Sequence, residues 1–117
     1  MPKYMLLLYD DPATFATMSP EEMQKIIEQY VAWGQKLRVA GVLKAGDKLT
    51  DDPGKVMRGR DRQLRVTDGP YSETKEALGG YYLLETESYD RAAEWARDCP
   101  HLEYGGTIEV RQVDEMS

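Results

Sequence analysis

Leu78–Thr86, LGGYYLLET, decides the fold, because both of its alternating residue sets are apolar. Tyr81 and Leu83 point one way, Tyr82 and Leu84 the other. A strand with one face in water would alternate apolar and polar residues instead. Lys3–Tyr9, KYMLLLY, reads the same way. Tyr4, Leu6 and Leu8 share one side, Met5, Leu7 and Tyr9 the other, and Asp10-Asp11-Pro12 stops the run. Two such strands call for a sheet covered on both faces.

Working outward, Ser19-Pro20-Glu21-Glu22 is a helix start: Ser19 caps, Pro20 suits the first position, and Glu22 stands where a capping box places it. Met23, Ile26, Ile27, Tyr30, Val31 and Leu37 then recur at helical spacing, and Gly41 supplies a left-handed exit. Val42–Leu49 reads as a strand that Gly46 weakens. Val56-Met57 and Leu64–Thr67, joined through Gly59–Arg62, read as a hairpin arm, followed by a tight turn at Asp68-Gly69-Pro70. Ser88–Arg97 reads as a second helix, with Cys99 extending its apolar stripe and Pro100 ending it. Thr107–Val113 reads as the last strand, with Ile108 and Val110 opposite Glu109 and Arg111. Residues 114–117 read as a tail.

The order strand, helix, strand, arm, strand, helix, strand matches the βαββαβ pattern, in which both helices pack on one face of an antiparallel sheet. The chain therefore reads as one α+β domain, a ferredoxin-like βαββαβ sandwich with an inserted hairpin arm, over residues 1–117. Two helices cover one face only. A second copy of the chain is the cheapest cover for the other, so a homodimer is expected.

Composition supports a globular chain, with 41% hydrophobic and 31% charged residues. The 15 basic and 21 acidic side chains leave a net charge of −6, which opposes general nucleic-acid or anionic-membrane binding. The richest basic stretch, Lys55–Arg65, reads as an exposed hairpin. One cysteine, Cys99, excludes an internal disulfide and a cysteine-built metal site. The apolar run at the start is too short for a signal-peptide core, and no segment approaches the ~20 apolar residues of a membrane span. A cytoplasmic location is expected, with no metal site and no cofactor.

Thr67-Asp68-Gly69-Pro70-Tyr71-Ser72-Glu73-Thr74-Lys75-Glu76, followed by Leu78-Gly79-Gly80-Tyr81-Tyr82, resembles the signature of the YCII-related family, in the subgroup named for its DGPF motif. Glu94-Trp95-Ala96, Cys99-Pro100 and Gly106–Arg111 extend the resemblance. Tyr71 stands where that motif has phenylalanine, and Gln112 stands where the family commonly has proline. The resemblance implies a dimeric α/β barrel, in which two ferredoxin-like sheets face each other. It also implies either a small-molecule enzyme working through a His/Asp pair or a regulatory partner associated with an extracytoplasmic-function sigma factor. No histidine stands early in this chain to match the family's histidine.

Asp68 is the acid-base candidate, since a carboxylate ending a strand near a barrel mouth can be partly desolvated; accepting turn amides is its alternative role. Glu73, Lys75 and Glu76 either bracket a polar ligand or pair with one another. Tyr71 either walls a pocket or packs in the turn. His101, the single histidine, is a general-base candidate, against a role as helix cap or surface group. Arg111 can clamp an anionic ligand or pair with Glu109. Tyr82 or Tyr81, with Tyr9 or Tyr4, can line a pocket for a small aromatic or apolar molecule. The reading is a domain that binds a small molecule or serves a regulatory partner. The alternative is a cofactor-free small-molecule enzyme using Asp68 for proton transfer.

Overall fold

A computed structural model describes residues 1–68 and 76–115. The chain forms β1 (Lys3–Asp10), a 3₁₀ turn (Pro12–Phe15), α1 (Pro20–Val39), β2 (Leu43–Lys48), β3 (Lys55–Arg60) and β4 (Gln63–Asp68). After these come β5 (Ala77–Glu85), α2 (Tyr89–Ala96), α3 (Pro100–Glu103) and β6 (Thr107–Gln112). The start of α1 is the one its sequence specifies: Ser19 Oγ accepts from the Glu22 amide at 3.1 Å, and its hydroxyl donates to Glu22 Oε1 at 3.2 Å. Gly41 leaves the helix with φ +77°, a conformation costly for any residue with a Cβ.

The four-stranded sheet has the order β2-β5-β1-β6, and every neighbouring pair is antiparallel, which is the ferredoxin-like topology. Register sorts the side chains. Leu6 pairs with Tyr82 and Val110, and Tyr4 with Leu84, on the face beneath the helices. Leu6, Leu8, Trp33, Leu37, Val42, Leu84, Ala96 and Cys99 close the core there. Tyr4 meets Tyr89 of α2 edge-on at 4.8 Å, and Trp33 meets Tyr82 edge-on at 4.9 Å. Burial pushes the Cys99 thiol up to about 11, so it behaves as a small apolar residue. The opposite face carries Met5 beside Leu83 and Leu7 beside Tyr81, all half-buried.

The expected barrel is not formed. The four-stranded sheet is open, with β2 and β6 as its edges, and β3 and β4 make a separate two-stranded sheet. Closing a sheet requires tilted strands whose hydrogen bonds run round to the first strand, and four strands enclose no interior. Among the described residues β2 pairs only with β5 and β6 only with β1.

The second helical segment also differs from its sequence reading. Pro100 does not simply end it: α2 stops at Ala96, and Pro100 opens α3 from the first helical position, where its missing N–H costs nothing. This short helix positions His101.

Candidate functional site

β1 carries the base of the site. Its pairing with β5 shifts between Leu8 and Tyr9: Leu8 faces Gly80 and Tyr9 faces Leu78, which leaves Gly79 as the extra residue of a bulge. A bulge bends the strand that carries the extra residue, here β5, opposite Tyr9 and Asp10 of β1. The carboxylate oxygens of Asp10 lie where a Cβ on Gly79 would approach them to 3.5 Å.

His101 rises from α3 to meet this strand end. It is 3% exposed, and both ring nitrogens are engaged. Nε2 lies 2.7 Å from the Tyr9 carbonyl oxygen, which can only accept, so Nε2 carries the hydrogen. Nδ1, 2.9 Å from the Tyr30 hydroxyl, then accepts from it in the neutral ring. Gly106 makes the space: a Cβ there would collide with the imidazole at Nε2 and Cδ2. Three elements, β1, α1 and α3, thus converge on one side chain.

Burial raises the pKa of Asp10 above the ordinary carboxylate value, against the opposing influence of His101 and then Lys48. Burial likewise raises the Tyr30 hydroxyl, and it pushes Tyr82 up to about 12, with Cys99 adding to both. A partly desolvated carboxyl within electrostatic reach of a buried imidazole is an arrangement able to take up or release a proton.

Tyr30 also belongs to a groove between α1 and β2. Its volume is 240 Å³, and its walls include Tyr30, Tyr82, Gly34, Gly46, Val31 and Arg38. Gly46 admits the Tyr82 ring, since a Cβ there would stand 2.7 Å from Tyr82 Cδ1. One tyrosine therefore lines the groove and, by its hydroxyl, meets His101.

The residues singled out from the sequence separate in space. Asp68 is not desolvated: its side chain is 78% exposed, ends β4 in the two-stranded sheet, and accepts from Lys55 Nζ at 2.6 Å. His101 is neither a surface group nor a cap, because Gly106 leaves the space for its buried ring. Tyr82 lies on the helix side, in the groove. Glu109 and Arg111 are exposed on the opposite face, where Glu109 accepts from the Tyr9 hydroxyl at 3.4 Å. Glu76 accepts from Thr107 Oγ1 at 3.0 Å, tying the start of β5 to the start of β6. Tyr71, Glu73 and Lys75 lie outside the described residues, as does most of the expected Asp68-Gly69-Pro70 turn.

Sequence reasoning missed Asp10 and Tyr30. Asp10 reads as a strand stop and Tyr30 as one position of a helical stripe, and only the fold brings them to His101. Among the described residues no three His, Cys, Asp or Glu side chains gather as metal ligands. No described helix is long and apolar enough to cross a membrane.

The chain is 33% identical over 112 residues to the uncharacterized protein R00369 of Rhizobium meliloti, covering 94% of this chain and 90% of that one. It is also similar to the 5-chloro-2-hydroxyhydroquinone dehydrochlorinase TftG of Burkholderia phenoliruptrix AC1100, whose structure holds 2,5-dihydroxybenzoquinone. That likeness has a TM-score of 0.47 and 17% identity, over 96% of this chain and 95% of the other. Residues 2–117 match the model of the YCII-related domain, and the chain belongs to that family.

Proposed function

We propose that this domain binds a small molecule in the groove between α1 and β2, and that Asp10 and His101 form the polar group of the site. The supporting observation is the double role of Tyr30, which lines the groove while its hydroxyl donates to His101 Nδ1. The groove's 240 Å³ lies below the ~300–1,000 Å³ usual for drug-sized ligands, so it suits a molecule of about one ring. Tyr30 and Tyr82 offer flat apolar walls, and Arg38 at the rim favours a ligand with an acidic or hydroxyl substituent.

In the enzymatic form of this reading, Asp10 replaces Asp68 as the proton-transfer group. Its raised pKa brings it nearer the range in which a carboxyl both gives and takes a proton. His101, held in one tautomer by Tyr9, keeps Tyr30 oriented.

The test is an NMR titration of the full chain with phenol and catechol. Binding should move the amide resonances of Gly34, Gly46 and Tyr82, and Val31→Trp, at an exposed position on the rim, should abolish the effect. No movement of groove resonances at millimolar ligand, or unchanged binding in Val31→Trp, would overturn the reading.

A further inference from the structure

The groove between α1 and β2 is unevenly supplied with polar groups. No carboxylate stands in its walls, and its one charged side chain is Arg38. Val31, Gln35 and Arg38 follow one another at i, i+4 and i+7 of α1, so the helix turns them to the same side. The other cation of the last turn is already committed, since Lys36 Nζ donates to Asp98 at 3.1 Å. Among the described residues Arg38 forms no ion pair with a carboxylate of the chain.

Tyr82 adds a second donor. Among the described residues its hydroxyl finds no hydrogen-bond partner, and no fully buried polar side-chain atom is left unpaired, so that hydroxyl is open to solvent. Burial pushes its pKa up to about 12, which keeps it protonated and able to donate at neutral pH. The ring is held in place from behind: it packs edge-on against Trp33, whose Nε1–H donates to the Trp95 carbonyl at 3.1 Å. Gly34 keeps the α1 wall low, because a Cβ there would meet only Leu43 Cδ2, at 4.0 Å. The walls are thus formed in advance, and a ligand loses little affinity to ordering them.

Arg38, Gln35 and Tyr82 bring guanidinium, amide and hydroxyl hydrogens to the groove against few acceptors. A single ligand hydroxyl matches only part of that set. A carboxylate accepts through both oxygens, and a guanidinium meets it with two parallel hydrogen bonds.

On the reading that this groove is the ligand site, we propose that its ligand is a monocyclic aromatic carboxylate. The ring lies beside Tyr30 and Tyr82, and the carboxylate reaches the Arg38 guanidinium and the Gln35 amide at the rim. The chain's net charge of −6 repels anions from its surface at large, so a preference for an acid in the groove comes from Arg38 itself.

NMR titration of the full chain at pH 7 with benzoate, benzyl alcohol and acetate tests this, read at the amides of Gly34, Gly46 and Tyr82. Benzoate should bind roughly tenfold more tightly than benzyl alcohol, the gain of charge-assisted hydrogen bonds, and should weaken as salt is raised. Acetate, which has the charge without the ring, should bind at least about tenfold more weakly than benzoate. Arg38→Met keeps an apolar stem and should bring benzoate down to the affinity of benzyl alcohol. Arg38→Lys, which keeps the charge and loses the fork, should retain part of the preference. Benzyl alcohol binding as tightly as benzoate, or a preference that survives Arg38→Met, overturns the proposal and leaves the groove a site for neutral rings. Acetate binding as tightly as benzoate overturns it as well. So do benzoate shifts confined to the arm, where Arg58 stands opposite Arg65. If none of the three ligands moves the groove resonances, the groove reading itself fails, and the acid preference with it.

Discussion

The His101 Nε2–H donates to the Tyr9 carbonyl at 2.7 Å, so a side chain of α3 completes the hydrogen bonding at the end of β1. That ring occupies the space that a side chain on Gly106 would need. Gly106→Ala should therefore destabilise the fold by about 1–3 kcal/mol through overpacking. His101→Ala should cost about 1–3 kcal/mol, because it leaves the Tyr9 carbonyl and the Tyr30 hydroxyl without their partner. The double variant should cost clearly less than the sum, since the new methyl enters the vacated space. Urea unfolding of the four proteins measures the coupling, and strict additivity would contradict the shared-space account.

Asp10 gives a pH dependence with a defined sign. Burial raises its folded-state pKa above the ordinary 3.8, so folding takes up a proton between 3.8 and that raised value. Stability contributed by the protonated carboxyl is lost as pH rises through this window. Asp10→Asn, which never ionises, should be more stable than wild type at pH 7, and the gain should vanish below 3.8. Thermal unfolding across pH 3 to 7 reads the difference.

Asp68 should behave as a surface residue. Its pair with Lys55 leaves the two side chains 78% and 70% exposed, and exposed pairs are worth ~0–1 kcal/mol. Asp68→Asn should leave stability within about 0.5 kcal/mol of wild type and leave phenol binding unchanged. A tenfold loss of binding in that variant would return Asp68 to the site.

The turn of the arm predicts a stabilising change. Asp61 and Arg62 both have positive φ, 52° and 66°, the signature of a two-residue type I′ hairpin turn. Aspartate tolerates that region, but arginine does so at a cost of roughly 1–2 kcal/mol. Arg62→Gly should slow hydrogen exchange at the amides of β3 and β4. Unchanged exchange would mean that the arm's stability is not set at its turn.

The elements were legible wherever local chemistry specifies them. Ser19, Pro20, Glu22 and Gly41 frame α1 as read, and the two-sided strands are the sheet's central pair. The α3 helix escaped because Pro100 is compatible with both an ending and a beginning, and four residues carry no periodicity. Asp10 escaped for a different reason. An acidic residue after an apolar strand is the ordinary sign of a turn, and its burial depends on what packs above it. Asp68 was the more visible carboxylate because it stands in a distinctive motif, yet its exposure comes from the arm's separation from the main sheet.

By itself the sequence determined the strand and helix order, the antiparallel α+β topology, the apolar central strands and the family, because periodicity, caps and motif spacing are properties of neighbours along the chain. Only the tertiary structure decided that the four-stranded sheet stays open, that Asp68 faces water, and that His101 is buried between Tyr30 and Tyr9. Those outcomes depend on register. The empty side of Gly106 lets His101 meet Tyr30 and the Tyr9 carbonyl, residues that no sequence spacing relates.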